Sequence, residues 1–170
     1  NNLTNNRIST VTNGVKIWNA DYNIIENNSI DAGTLGVGIY VYSLLLGNNA
    51  SYNRIIRNYI KGGISASTVG TDGYEILHTV IENNRINNTA FAGMAFGTAA
   101  GRTNFTNNTI FGTGTYGLYI GPLGDNNSLQ GNNISNAAYT LWLNGANNTN
   151  FTNNIFSNAS RWITASEGSF

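Results

Sequence analysis

Large apolar residues recur along this chain in pairs that enclose four mostly polar positions, as in Phe105-Thr106-Asn107-Asn108-Thr109-Ile110. The same six-residue unit runs from Leu3 to Ile8, Ile25 to Ile30, Ile55 to Ile60, Ile81 to Ile86, Phe105 to Ile110, Leu129 to Ile134 and Phe151 to Phe156. Its fourth position is asparagine each time: Asn6, Asn28, Asn58, Asn84, Asn108, Asn132 and Asn154. The closing residues of successive units lie 22, 30, 26, 24, 24 and 22 residues apart, which is the period of a solenoid. Most units are followed by a second short stretch that alternates or is mostly apolar, such as Val15 to Trp18, Val37 to Tyr42, Gly117 to Ile120 and Thr140 to Leu143. Helix formers are scarce, whereas Asn, Gly, Thr and β-branched residues abound. The pattern predicts an all-β fold, a right-handed parallel β-helix of about seven coils forming one domain over residues 1–170. Ser, Thr and Gly gather after Ile64, so a protruding loop is expected near residues 62–74.

Stacked coils place equivalent positions about 4.8 Å apart, one above the other. The first and last apolar positions of the unit then face inward and build a continuous core. The asparagine between them is expected at a bend, where it tolerates left-handed backbone angles. Its amide both donates and accepts, so a stacked row satisfies buried polar groups coil after coil.

The unit, as in Phe105 to Ile110 and Ile81-Glu82-Asn83-Asn84-Arg85-Ile86, resembles the parallel β-helix repeat of pectate-lyase-like proteins. It is most similar to the Asn-rich, short-loop form found in bacterial and archaeal surface proteins, and the resemblance spans essentially the whole chain. It implies a fold rather than a function, because lyases, hydrolases, epimerases, adhesins and surface-layer proteins share it. For an enzyme, it would imply clustered Asp residues with a nearby Arg or Lys.

Composition narrows the function classes. Charged residues are only 9% of the chain and net charge is zero, while asparagine reaches roughly a fifth. No basic patch could hold a phosphate backbone, so no nucleic-acid partner is expected. No apolar run is long enough for a membrane-inserted helix. Cysteine is absent, which removes disulfides and thiolate metal sites. No metal or cofactor is called for. The chain opens in mid-pattern at Asn1 and reads as a mature or excised segment.

Candidate chemistry is sparse, and no catalytic residue stands out. Glu26 and Glu82 share a repeat position two coils apart, roughly 10 Å, at the edge of the span of an inverting carboxylate pair. Asp72, Glu75 and His78 gather around the expected loop and make the best small-ligand site. Trp18, Tyr40, Tyr119 and Trp142 each follow an inward apolar residue. They are expected to form an outward contact stripe, continued by Ile163, that packs a neighbouring copy or stacks sugar rings. Among many Asn-X-Ser/Thr sequons, Asn2, Asn104 and Asn150 share one exposed repeat position. With Asn133 they are the expected glycan acceptors if the source glycosylates Asn.

If Asn1 of a second copy follows Phe170, the spacing from Trp162 to that copy's Leu3 matches the spacing inside the chain, so the register would continue. These features point to a structural, extracellular or cell-surface solenoid such as a filament, sheath, surface layer or adhesin. Its expected partners are copies of itself, head to tail or lateral, and glycans. The alternative is a module that binds or processes polysaccharide.

Overall fold

The computed structural model describes residues 1–43, 49–68 and 76–166. Among them are nineteen strands and no helix, and the chain winds through three faces per coil. The first face carries Asn2–Thr4, Ile24–Glu26, Arg54–Ile56, Val80–Glu82, Asn104–Thr106, Ser128–Gln130 and Asn150–Thr152, paired in that order. All pairs are parallel, and the register aligns Leu3, Ile25, Ile55, Ile81, Phe105, Leu129 and Phe151 in one row.

The second face aligns Ile8, Ile30, Ile60, Ile86, Ile110, Ile134 and Phe156. The third carries Asn13–Trp18, Val37–Ser43, Ile64–Thr68, Ala92–Phe96 and Tyr116–Ile120. In the last two coils single strands, Asn133–Leu143 and Ile155–Ala165, run through the corner and serve both faces, which fuses them into one 12-stranded sheet. The architecture is therefore the β-solenoid that the repeat predicts, seven rungs high on its first face.

Two inward positions per strand distinguish the third face. One row is Val15, Ile39, Ile64, Met94, Leu118, Leu141 and Ile163; the other is Ile17, Val41, Ala66, Phe96, Ile120, Leu143 and Ala165. Together with the rows of the first two faces they form one continuous apolar core, which leaves Phe151 and Ile163 of the last coil exposed, with Phe96 set edge-on against Phe105 at 4.8 Å. The corner into the third face needs glycine. A Cβ on Gly14, Gly38, Gly93 or Gly117 would lie 2.2–2.4 Å from the Cγ2 of Ile30, Ile60, Ile110 or Ile134 respectively.

Residues 62–68 of the loop expected near 62–74 belong to the coil itself. Gly62 and Gly63 make the corner with φ of 111° and 77°, and Ile64–Thr68 is a strand, because its inward Ile64 and Ala66 fall in register with Ile39 and Val41. Residues 69–74 lie outside the described residues, as does the apolar run Leu44 to Leu46.

Candidate functional site

The first-face corner is held by the asparagine row. Asn28 donates its backbone N–H and its Nδ2 to Asn58 Oδ1 at 2.9 and 3.1 Å, and its Nδ2 also donates to the Leu3 carbonyl at 2.9 Å. Asn58, Asn84, Asn108 and Asn132 repeat this arrangement toward the next coil, and Asn6 opens the row on Asn28. Asn28, Asn58, Asn84, Asn108 and Asn132 are buried. The left-handed residue is not this asparagine but the one before it: Asn5, Asn27, Arg57, Asn83, Asn107, Gly131 and Asn153 have φ of 52–65°. The division of labour is physical. The left-handed residue turns its own side chain out to solvent, and the next residue then points its amide inward along the axis.

A second row, not read from the sequence, closes the corner between the third and first faces. Asn23 donates N–H and Nδ2 to Asn53 Oδ1 at 2.9 and 3.0 Å, Asn1 donates to Asn23, and Thr103 N–H donates to Asn127 Oδ1 at 2.9 Å. Each member lies two residues before the first-face core residue, and in every coil that position is Asn or Thr: Asn1, Asn23, Asn53, Thr79, Thr103, Asn127 and Thr149. That fixed offset was the available signal. Again a left-handed residue precedes it from the second coil onward: Tyr22, Tyr52, His78, Arg102, Asn126 and Asn148.

Four of the described carboxylates, Asp21, Glu26, Asp31 and Asp125, bind coil to coil, and Glu82 meets its neighbour in the same coil. Asp21 accepts the Ser51 N–H at 2.6 Å and Asp125 accepts the Asn147 N–H at 2.7 Å. Glu26 pairs with Arg57, and Glu82 accepts from Asn83 Nδ2. Glu26 and Glu82 do share an outward row, with the buried Ile56 between them. Asp31 accepts the Gly33 N–H at 2.9 Å and faces Lys61 at 3.4 Å; that backbone donor, helped by the lysine, holds its carboxyl below the usual range. Asp72 and Glu75 lie outside the described residues. Their expected companion His78 is exposed and lies flat on Tyr52 at 4.9 Å, which itself stacks on Tyr22 at 5.0 Å.

The aromatic residues divide into two clusters. Tyr40, Tyr119 and Trp142 share an outward row with Lys16, Ser65, Ala95 and Thr164, so two small residues interrupt the stripe between Tyr40 and Tyr119. Trp18 falls in the next outward row, opposite Tyr42. Ile163 continues the inward row of Leu141, not the stripe. Because each third-face strand has two inward residues, the residue after an inward one can sit in either of two outward rows. One cluster gathers Trp18, Tyr40 and Tyr42 around Lys16, whose Nζ is 4.8 Å from the Trp18 ring. The other packs Phe91, Tyr116, Tyr119, Tyr139 and Trp142, ring centroids 5.0–5.6 Å apart, with Arg161 over Tyr139. Burial there, with Tyr139 and Tyr119 beside it, raises the Tyr116 phenol above its usual value.

Asn2, Asn104 and Asn150 lie exposed on the first face, in an outward row with Ile24, Arg54, Val80 and Ser128, and Asn133 is exposed on the second. A recess of about 480 Å³ opens on the first coil, lined by Leu3, Val15, Ile17, Trp18, Ala20 and Ile25, where the core rows meet solvent. At the last coil the same rows emerge as Phe151, 37% exposed, and Ile163, 52% exposed.

Comparison with protein-family models matches residues 63–170 to the model described as right handed beta helix region. The chain belongs to that family. Residues 1–79 also match the model of a periplasmic copper-binding protein, NosD. Copper prefers imidazole, thiolate or thioether donors, and this chain has one His, one Met and no Cys. His78 is stacked on a tyrosine, Met94 is buried in the core, and no three His, Cys, Asp or Glu converge among the described residues. The donors among the described residues do not fit copper.

Comparison with curated proteins found no match. Among solved structures, the A-module of the Azotobacter vinelandii mannuronan C-5 epimerase AlgE6 superposes with a TM-score of 0.56 at 12% identity, over 97% of this chain and 57% of that one. The catalytic domain of a GH87 alpha-1,3-glucanase, solved with tetrasaccharides, superposes with a TM-score of 0.44 at 17% identity, over 99% of this chain and 45% of that one. The chain thus spans about half the length of these structures. At 12% identity the likeness to the epimerase module is one of fold.

Proposed function

We propose that this chain is a structural solenoid of the extracellular or periplasmic space, lengthened along its axis by further copies stacked end to end. The observation that carries this reading is the complementarity of the first and last coils. At the last coil Phe151, Phe156 and Ile163 stand partly uncovered, in the same rows as the partly buried Leu3, Ile8 and Val15 of the first. The polar row matches as well. Every amide from Asn6 to Asn132 donates toward the following coil, so Asn154 ends the row with donors and Asn6 begins it with an acceptor. A second copy set on the last coil buries apolar surface and pairs both, giving a heterologous contact that repeats without closing.

The match to a periplasmic family model supports the compartment. The coil-to-coil use of Asp21, Glu26, Asp31 and Asp125 supports a structural role over a processing one. Sedimentation velocity and negative-stain microscopy at rising concentration test it. Rods of constant width that lengthen with concentration are expected, and Ile163→Asp should leave folded monomers. A wild-type protein that stays monomeric at high concentration overturns the reading.

A second reading, polysaccharide binding, rests on the cluster of Phe91, Tyr116, Tyr119, Tyr139 and Trp142 beside Arg161, since such rings stack on sugars. Titration with alginate and with a neutral glucan, followed by tryptophan fluorescence, separates the readings. Saturable quenching lost in Trp142→Ala favours binding.

A further inference from the structure

Tyr22 and Tyr52 occupy equivalent positions on adjacent coils, each in the left-handed conformation that turns its side chain out of the corner, with φ of 57° and 56°. Their rings are parallel within 7°, with centroids 5.0 Å apart, and they are 68% and 45% exposed. Two observations hold them in that relation. The Tyr22 N–H donates to the Ser51 carbonyl immediately before Tyr52, and the adjoining Asn23 donates twice to Asn53. The backbones are therefore held in register, and the rings project from them into solvent. His78 covers the far face of Tyr52 at 4.9 Å, so the open partner of Tyr52 is Tyr22.

We propose that Tyr22 and Tyr52 form an oxidative cross-linking site, a dityrosine staple between neighbouring coils. The chemistry needs a one-electron oxidant of the peroxidase or photo-oxidant class. Each phenol loses one electron to the oxidant and one proton to water, and two phenoxyl radicals result. A carbon–carbon bond forms between their ring carbons ortho to oxygen, and each of those carbons then passes its hydrogen, as a proton, back to its own oxygen, which restores both phenols. In sum two tyrosines give one dityrosine, two protons and two electrons. Exposure lets oxidant and water reach both hydroxyls, and the rings rotate out of their stack to bring the ortho carbons together. The other tyrosine contacts are placed less well. Tyr40 and Tyr42 lie on one strand with an amine between aromatic rings, and Tyr116, Tyr119 and Tyr139 are half-buried and tilted by 37–40°. In a chain without cysteine, such a bond is a covalent tie suited to an oxidising compartment.

The test uses the full chain, a ruthenium(II) trisbipyridyl photo-oxidant with persulfate, and brief illumination at low protein concentration. Blue dityrosine emission should appear in the monomer fraction. After cleavage at Glu26, which lies between the two tyrosines, one linked peptide pair should be found, two hydrogens lighter than the sum of its parts. Tyr22→Phe and Tyr52→Phe should each remove that pair and most of the emission, and the cross-linked protein should melt at a higher temperature than the untreated one. Emission retained in both variants, or linkage spread evenly over other tyrosines, overturns the proposal. So does linkage found only between molecules.

Discussion

At the scale of the residue, the corners show why asparagine dominates this chain. One position must turn the backbone into the left-handed region, and the next must fill a buried bend with an amide that donates and accepts. Asparagine suits both tasks, which is why Asn-Asn pairs such as Asn27-Asn28, Asn83-Asn84 and Asn107-Asn108 recur. The two tasks predict different mutational costs. Asn108→Leu strands the Asn84 N–H donors, which now reach Asn108 Oδ1 at 3.0–3.1 Å, and should cost about 1–3 kcal/mol in urea unfolding. Arg57→Gly removes only an exposed ion pair and relieves a left-handed arginine. Its unfolding free energy should stay level or rise by up to about 1 kcal/mol, whereas Arg57→Val should lose about 1–2 kcal/mol. Asp31 carries a sign for pH. Its carboxyl is held below its unfolded value, so its contribution is present above about pH 4 and is lost as pH falls through the folded value. Urea midpoints followed into acid should decline less steeply in Asp31→Asn. The repeating asparagine was legible in the sequence because its offset from two apolar residues never varies. Its left-handed neighbour was not, because Arg57 and Gly131 interrupt the asparagine there.

The next scale is that of strand and corner. The first two faces were readable since the first-face strands and the spacing between the inward residues of the two faces are constant. The third face was less so. Its corner shrinks to Gly62-Gly63 in one coil and vanishes into the continuous strand Asn133–Leu143 in another, and its strands carry two inward positions. The two inward positions slip a contact stripe by one outward row, as at Trp18. Glycine at this corner is a matter of space. Gly117→Ala would put a Cβ 2.2 Å from Ile134 Cγ2 and 2.7 Å from the Thr140 carbonyl, inside a filled core. A loss of about 1–3 kcal/mol is expected. Gly33→Ala meets nothing within 4 Å but keeps a φ of 71°, so a loss of about 1 kcal/mol should come from the backbone alone. Thermal unfolding of the pair separates the two causes.

For the whole molecule, the proposed end-to-end contact would be made by the open rows at the first and last coils. A joint made of apolar side chains and amides, in a chain with zero net charge, should be indifferent to salt. Rod length measured by light scattering is expected to change little between low and high ionic strength, and to fall in mild urea.

Direction is a further property of the asparagine row. In the ladder of backbone hydrogen bonds donors point both ways along the axis, as Asn5 to Glu26 and Ile24 to Asn1 illustrate, so their dipoles largely cancel. The buried amides do not alternate. Each Oδ1 from Asn28 to Asn154 faces the coil before it. Their dipoles add from coil to coil, as peptide dipoles do in a helix. A rod of zero net charge built this way gains a permanent polarity from the row, and it should turn to align in an applied electric field.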